Sequence, residues 1–452
     1  MKSEVIKKLG FDGIRKSSCR RKTVGDIKLA DIVLLLGFNL LFFEQYLQFS
    51  VSHTLSFIDE LCTAVLLFLA LKDYLGQNRF ARARTHVGRI LLASALFLAV
   101  GAAGTLVNRF QLNAYPILID AFTSGKGLFC FAAVLYLARS RESRASDFVN
   151  IVVAECKLLT LVLFFGAVVN LVADVGFGGE GRARYGLRPF AFIFYHPTCV
   201  VYLATGLAAV LFANEQRANK WVFMLCFILV ATLRSKGFGE AAVLILVLLA
   251  LGANKRNAKL RWWHVVLAVG AVLVVGWSQL EVYYLSDEAT DTARTVLTRT
   301  ALELAKLHMP IGTGFATYGS AVTVDSAYYS PIYIQYGFNG IWGLSVLHPE
   351  FLTDSFWPTV IGQFGLLGLL LLVAAIALIC YDGYGFAKSI GPRAIGSFVI
   401  IIAYLLLSST AESSFFAPQS VYLAACLCIS LLGSGAAPSS ANSSRLVSKR
   451  RP

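Results

Sequence analysis

Long apolar segments recur along nearly the whole chain, and short polar segments separate them. Segments of roughly 18 to 25 mainly apolar residues are long enough to cross the hydrocarbon core of a membrane as helices. We therefore predict an all-α integral membrane protein with about twelve transmembrane helices. The predicted helices lie at 29–50, 53–71, 88–107, 116–138, 150–173, 190–213, 219–233, 239–253, 263–280, 356–381, 394–412 and 416–434.

One polar interval, 281–355, is much longer than the others and separates the ninth and tenth predicted helices. Apolar residues make up 57% of the chain, charged residues only 15%, and the mean hydropathy is +0.67, as expected for a polytopic membrane protein. The predicted organisation has five parts: a basic tail at 1–28, helices one to nine within 29–280, a large loop at 281–355, helices ten to twelve within 356–434, and a basic tail at 435–452.

The net charge of +14 is concentrated in alternate loops and in the two tails. By the positive-inside rule these segments face the cytoplasm, so both termini are predicted to be cytoplasmic and the protein to lie in a bacterial inner membrane. Topology accounts for the basic excess, and no nucleic-acid partner is needed. The basic loops are 72–84, 139–144, 214–220, 254–261 and the segment containing Lys388 and Arg393.

Three segments on the opposite, predicted external side also carry positive charges, although the positive-inside rule does not predict positive charge on that side. One alternative is that each arginine anchors a helix end at the lipid headgroups. The other is a common anion site facing outward, because three separate segments share the anomaly. The residues are Arg182, Arg184 and Arg188 before the sixth helix, Arg234 and Lys236 between the seventh and eighth, and Arg294 and Arg299 in the large loop.

Arginine groups of this kind suit a diphosphate, because the planar guanidinium matches phosphate oxygens with two parallel hydrogen bonds. Nucleotide-activated sugars are confined to the cytoplasm, so an external diphosphate is expected on a lipid. The sequence thus predicts a polyprenyl diphosphate ligand whose tail lies in a groove between helices.

The large loop contains several ordered patterns. Residues 292–308 have helical spacing, and "PIGTGFATYG" (310–319) is a glycine-rich turn that either brings backbone N–H groups to a ligand or is a plain turn. The aromatic stretch 328–343 either stacks on sugar rings or forms an interfacial belt. The end of the loop places His348, Glu350 and Asp354 at the membrane surface.

Four stretches resemble the O-antigen polymerase and ligase superfamily of lipid-linked glycosyltransferases. They occur in the same order as in the family and span the C-terminal 60% of the chain. The four stretches together are specific for the family, whereas no single stretch is. The stretches are "LRPFAFIFYHPT" (187–198), "ATLRSKGFGEAAVLILVLL" (231–249), "ARTVLTRTALELAKLHMPIGTGFATYG" (293–319) and "LTDSFWPTVIGQFGLLG" (352–368).

The resemblance implies a GT-C-like fold and a metal-independent, inverting transferase without a cofactor. Its site would face the periplasm, where a sugar chain moves from undecaprenyl diphosphate to an acceptor hydroxyl. The family arginines that hold the diphosphate fall on Arg188, Arg234 and Arg294, with Arg299 as a nearby alternative. Family ligases carry a His-Asn pair where this chain has Asp354 and Ser355, which favours a polymerase.

Asp354 is predicted either to act as the base for the acceptor hydroxyl or to cap the tenth helix. Glu240 is predicted to orient Arg234, and His196 either to line the site or to cap an irregular helix start. Asp120 and Lys126 lie on different faces of one helix and are not expected to pair. The further predicted substrate-binding residues are Arg184, Lys236, Arg299, His348 and Tyr318.

The expected function is polymerisation of oligosaccharide repeats carried on undecaprenyl diphosphate, with membrane lipid, a chain-length regulator and a flippase as partners. No Walker loop, H-E-x-x-H or D-x-D motif is present, so neither ATP chemistry nor a metal is indicated. The rival enzyme is a ligase that transfers finished glycan to a lipid or protein. A rival of another class is a transporter or flippase, which typically has interrupted helices, a feature the sequence does not show clearly.

Overall fold

The computed structural model describes residues 29–76, 81–140, 146–179, 183–215, 217–251, 270 and 292–434. Regular structure in these ranges is helical, apart from one isolated bridge between Arg184 and Leu187. The described residues do not include the ninth predicted helix (263–280) apart from residue 270, either tail, the basic loop 254–261 or the start of the large loop.

Thirteen α-helices are described. They are α1 (Leu29–Ser50), α2 (Ile58–Gly76), α3 (Ala81–Asn108), α4 (Ala114–Ser140), α5 (Ser146–Val172), α6 (Pro197–Asn214), α7 (Asn219–Ala231), α8 (Ser235–Leu251), α9 (Ala293–Leu307), α10 (Pro331–Gln335), α11 (Phe356–Ile390), α12 (Pro392–Ser408) and α13 (Pro418–Ser434).

The all-α prediction is confirmed, and eleven of the twelve predicted segments coincide with described helices. Several apolar helices make the chain a multi-pass membrane protein. By length and composition, six of those described can cross a membrane: Ile32–Ser50, His86–Asn108, Ala114–Ser140, Phe148–Val172, Pro197–Asn214 and Phe356–Ile390. The twelve-helix topology stays a prediction.

Helix α6 lies at the centre of the bundle, in contact with α7, α12 and α13. Most of its residues are small or β-branched, and nearly all of them are buried. A Cβ atom on Gly206 would lie 2.4 Å from the Tyr422 ring, so α13 packs this closely only because position 206 has no side chain. Since α6 is anchored along its length, the residue that precedes it, His196, has a fixed position.

Helix α11 is interrupted at Gly365, where φ is +65° and ψ is −169°, a conformation that essentially only glycine adopts. The glycine-rich turn fills the gap. The N–H of Thr313 donates to the Gly362 carbonyl (3.1 Å), and the N–H of Gly314 donates to the Gln363 carbonyl (2.8 Å). These two N–H groups of the turn therefore bind the protein itself rather than a ligand. The sequence does not clearly show an interrupted helix, so the break in α11 differs from the sequence-based expectation.

The rest of the large loop packs over one end of the bundle. The predicted helix at 292–308 is confirmed as α9, and its apolar face covers a separate core that includes Leu297 and Tyr333. The rings of Tyr333 and Phe338 are stacked 5.2 Å apart and fully buried. These members of the aromatic stretch build the core of the loop, so for them neither an interfacial belt nor a sugar platform is correct.

Candidate functional site

A deep polar cleft opens at the end of the bundle that the large loop covers, with a volume of about 790 Å³. It is bordered by the adjoining ends of α1, α2, α4 and α6, by the start of α11 and by the segment between α12 and α13. We call it the polar cleft. The side chains on which its chemistry depends are Glu60, Asp120, Lys126, His196, Asp354 and Glu412.

His196 and Arg234 form one contact at this cleft. His196 precedes α6 in an extended conformation, and the Arg234 guanidinium donates to its Nε2 atom at 2.8 Å. Leu233 has a φ of +53°, and this left-handed turn joins α7 to α8 at Arg234. His196 is the N-cap residue of α6, as one alternative predicts, and its side chain also lines the cleft.

The tautomer of His196 follows from the Arg234 contact. An arginine only donates, so Nε2 must be unprotonated and the ring hydrogen must lie on Nδ1. The Thr198 N–H, 3.3 Å from Nδ1, then has no acceptor there. Burial, together with the nearby positive charge of Arg234, lowers the pKa of His196 to about 4. The imidazole is therefore neutral at physiological pH.

Lys236 and Glu412 form a second contact, with the ammonium 2.6 Å from the carboxylate Oε2. Glu412 also accepts hydrogen bonds from the Ser408 hydroxyl and, at 3.1 Å, from the Gln419 amide. Burial raises the pKa of Glu412, but Lys236 and the two neutral donors outweigh it, so the net pKa is lowered. Glu412 is therefore ionised, and sequence reasoning did not identify it.

Arg294 and Asp354 form the third contact, at 3.2 Å. Burial raises the pKa of Asp354, and Arg294 opposes this shift. The capping prediction for Asp354 is wrong by one residue. Helix α11 begins at Phe356, its N-cap is Ser355, and no side chain makes the cap hydrogen bond.

These three contacts belong to one electrostatic group. Lys236 and Glu412 act on both His196 and Asp354, and Arg184 acts on His196. We call the four cations the basic wall: Arg184, Arg234, Lys236 and Arg294. They come from three separate segments of the chain, and the contacts named above join them to two carboxylates and a neutral imidazole, a grouping of cations that suits an anionic ligand.

Two predicted arginines lie apart from this group. Arg188 pairs with Asp174 at 2.8 Å, and the exposed fractions of the two side chains are 39% and 69%. Arg299 is exposed on α9, five residues after Arg294, which directs it away from the Arg294 face of the helix. Arg182 lies outside the described residues.

Three other predicted residues do not border the cleft. Tyr318 is fully buried, and its hydroxyl donates to the Leu297 carbonyl. His348 is exposed and lies 3.5 Å from Glu350. Glu240 is fully buried, and within the described ranges neither carboxylate oxygen has a hydrogen-bond partner, so the predicted pairing with Arg234 is not present.

Asp120 holds the glycine-rich turn in place. Its Oδ1 accepts from the Ser320 hydroxyl at 2.6 Å, and its Oδ2 accepts from the Ala316 N–H at 2.7 Å and from the Gln363 amide. The carboxylate thus joins α4, the turn and the broken part of α11. Asp120 and Lys126 do not pair with each other, as expected from their helical spacing.

Lys126 instead contacts α2, with its ammonium 2.8 Å from Glu60 Oε1 and also paired with Asp59. Glu44 of α1 acts electrostatically on this group. Sequence reasoning did not select Glu44, Asp59 or Glu60. The available signal was that each is a charge inside or beside an apolar segment, where charges are costly and usually functional.

In the described part of the chain, no group of three or more His, Cys, Asp or Glu residues is placed to hold a metal ion. The metal-independent mechanism itself stays a prediction. No protein-family model matches the sequence, and no curated protein matches it.

Proposed function

We propose that the chain is a glycosyltransferase of the bacterial inner membrane that polymerises oligosaccharide repeats carried on undecaprenyl diphosphate. The product would be O-antigen, capsule or exopolysaccharide, formed by inversion without a metal on the periplasmic face. The observation that carries the proposal is the basic wall. Three separate segments bring Arg184, Arg234, Lys236 and Arg294 close to side chains that line the polar cleft at one end of an apolar helix bundle, namely His196, Asp354 and Glu412.

The diphosphate would bind by exchange. Lys236 and Arg294 are paired with Glu412 and Asp354, so diphosphate oxygens would compete with these carboxylates for the same donors. Arg234 donates to a neutral His196 and gains a stronger, charge-assisted bond when phosphate is the acceptor. In the transition state, negative charge grows on the leaving diphosphate, and these fixed cations stabilise it.

Arg188 does not support the role that the family resemblance implies for it, because it pairs with Asp174 on an exposed hairpin. Arg184, four residues earlier, acts on His196 and is the better candidate in this segment. Asp354 is held by Arg294, so its carboxylate serves as a partner for that arginine before substrate binds.

A ligase that transfers finished glycan would use the same cleft and the same cations. A transporter is favoured by a different observation, the interruption of α11 at Gly365 beside the buried glycine-rich turn. In a transporter, the break would separate two helix halves that move. Here Asp120 ties the turn to α4 and α11, which favours a rigid scaffold for an enzyme.

The test uses purified protein in lipid nanodiscs with a defined repeat on undecaprenyl diphosphate, with and without a chelator. The expected result is chain growth in both samples, read from product length on a gel. Growth that stops with the chelator would overturn the metal-independent mechanism. Transfer only to an added lipid acceptor would identify a ligase, and movement of the repeat across the bilayer without chain growth would identify a transporter.

A further inference from the structure

A second charged group borders the polar cleft and shares no element with the basic wall. It consists of Glu60 and Lys126 at the cleft surface, with Asp59 and Glu44 behind them, and we call it the acidic wall. Helices α1, α2 and α4 supply these residues. Because three carboxylates surround one ammonium, full ionisation would leave uncompensated negative charge in a poorly solvated place, which is costly. The group therefore has capacity for a proton.

Glu60 is the carboxylate of this wall that reaches the cleft. Its side chain is 23% exposed, whereas Asp59 is 0% and Glu44 is 2% exposed. Lys126 engages Oε1 of Glu60 and so fixes the side chain, while Oε2 has no hydrogen-bond partner among the described residues. Oε2 is itself buried, so Lys126 holds the carboxylate in place and Glu60 meets the cleft through the exposed remainder of its side chain. A carboxylate fixed at the edge of a cleft, and sharing one cation with other carboxylates, is suited to accept a hydroxyl hydrogen.

The other acidic side chains at the cleft are already engaged. Asp120 accepts three hydrogen bonds, and Asp325 caps a short helix through the Ala327 N–H at 2.9 Å. Asp354 is paired with Arg294, and Glu412 with Lys236. Glu60 is also paired with a cation, but it shares Lys126 with Asp59, whereas Asp354 and Glu412 each have a different cation as partner. Glu60 is therefore the cleft carboxylate best placed to receive a proton from a substrate.

Neutral polar and aromatic side chains accompany Glu60 on this side of the cleft. Gln45 and Gln48 of α1 and Thr123 of α4 offer donors and acceptors for hydroxyl groups. The rings of Tyr115 and Tyr328 lie 5.7 Å apart at the edge of the cleft. Amides, hydroxyls and aromatic faces suit an oligosaccharide, whereas the basic wall suits a diphosphate.

We infer that the acidic wall binds the acceptor oligosaccharide and that Glu60 takes the proton from its attacking hydroxyl. This inference rests on the proposed function. The acceptor O–H bond breaks, its oxygen bonds to the anomeric carbon of the donor, and the bond from that carbon to the diphosphate oxygen breaks. The electron pair leaves with the diphosphate on the basic wall, and the proton goes to Glu60.

The experiment compares Glu60→Gln with the wild type in nanodiscs, in two assays. Turnover of the lipid-linked repeat is expected to fall by about 100-fold or more, the usual contribution of a general base. Affinity for undecaprenyl diphosphate alone is expected to be unchanged, since the basic wall is intact. Glu350→Gln, which alters an exposed carboxylate outside the cleft, should match the wild type in both assays.

Glu60→Asp provides the variant that keeps a negative charge beside Lys126 if Glu60→Gln does not fold. It is expected to bind undecaprenyl diphosphate normally and to turn over slowly, because its carboxylate is one methylene shorter. Two results would overturn the inference but leave the polymerase proposal intact. One is normal turnover in Glu60→Gln, and the other is an equal loss of diphosphate affinity and of turnover. A wild-type protein that builds no polymer would overturn both.

Discussion

At the scale of single residues, the three cations beside the cleft have partners of two chemical kinds. Arg234 contacts a neutral imidazole, whereas Lys236 and Arg294 contact carboxylates. A neutral acceptor does not offset the positive charge of a guanidinium as a carboxylate does. Exchange of this neutral acceptor for a diphosphate oxygen would give Arg234 a charge-assisted hydrogen bond, so we expect the diphosphate to depend on it most.

Replacing Arg234 by lysine tests this expectation. A lysine keeps the charge but loses the planar fork that matches phosphate oxygens. We expect Arg234→Lys to weaken undecaprenyl diphosphate binding by at least about tenfold, the equivalent of losing one charge-assisted hydrogen bond. Binding to protein in nanodiscs is the measurement. Arg188→Lys, at an exposed pair with Asp174, is the control and should bind normally; equal loss in both variants would contradict the assignment.

His196 gives the protein a defined acid sensitivity. Its folded pKa of about 4 lies below the ordinary value of 6.5, so the unfolded chain takes up the proton first as the pH falls. The stability that neutral His196 contributes is present above pH 6.5 and is lost progressively from about 6.5 down to 4. We expect His196→Gln, which still accepts from Arg234 but does not titrate, to lose less thermal stability than the wild type over this interval. Parallel melting curves at every pH would argue against it.

At the scale of elements, the glycine-rich turn and the broken helix α11 depend on each other. The Pro310 carbonyl accepts a hydrogen bond from the N–H of Leu367 at 3.1 Å. Two N–H groups of the turn donate to the carbonyls of Gly362 and Gln363, just before the break. Helix α3 contributes as well, because the Thr105 hydroxyl accepts the N–H of Phe315 at 2.8 Å. These bonds give protein partners to the carbonyls of Gly362 and Gln363 and to the N–H of Leu367, so the break does not leave these groups unpaired inside a membrane.

Two glycine-to-alanine substitutions in α11 test whether the backbone conformation at Gly365 requires glycine. Gly365→Ala puts a Cβ 2.4 Å from the Pro310 carbonyl oxygen and forces alanine into a positive φ, at a cost of about 1–3 kcal/mol for the backbone alone. Gly385→Ala, on the same helix, meets no atom within 4 Å. We expect the first variant to melt at a clearly lower temperature in detergent and the second to melt as the wild type or slightly higher. Similar melting of both would mean that the break at Gly365 is not required.

At the scale of the whole molecule, the sequence predicts the helices well because the length of an apolar segment alone sets whether it crosses a membrane. It also points to Arg234, Lys236 and Arg294, since positive charge on the side that is predicted to be external is unusual. It does not identify Glu60 or Glu412, because their importance comes from contacts with Lys126 and Lys236, far away in sequence. The sequence also does not predict the helix break at Gly365, because nothing in it distinguishes this glycine from an ordinary helical glycine such as Gly385.

The orientation of the molecule in the membrane decides which compartment supplies the substrate. The basic loops predict that the end of α2 faces the cytoplasm and that the polar cleft faces the periplasm. In a variant lacking the native cysteines, Leu347→Cys on the large loop and Leu75→Cys at the end of α2 are both well exposed, at 86% and 73% in the native residues. We expect a membrane-impermeant maleimide to label position 347 in intact spheroplasts and position 75 only after permeabilisation. The reverse pattern would place the cleft in the cytoplasm, where nucleotide sugars are available, and the case for a lipid-linked donor would fail.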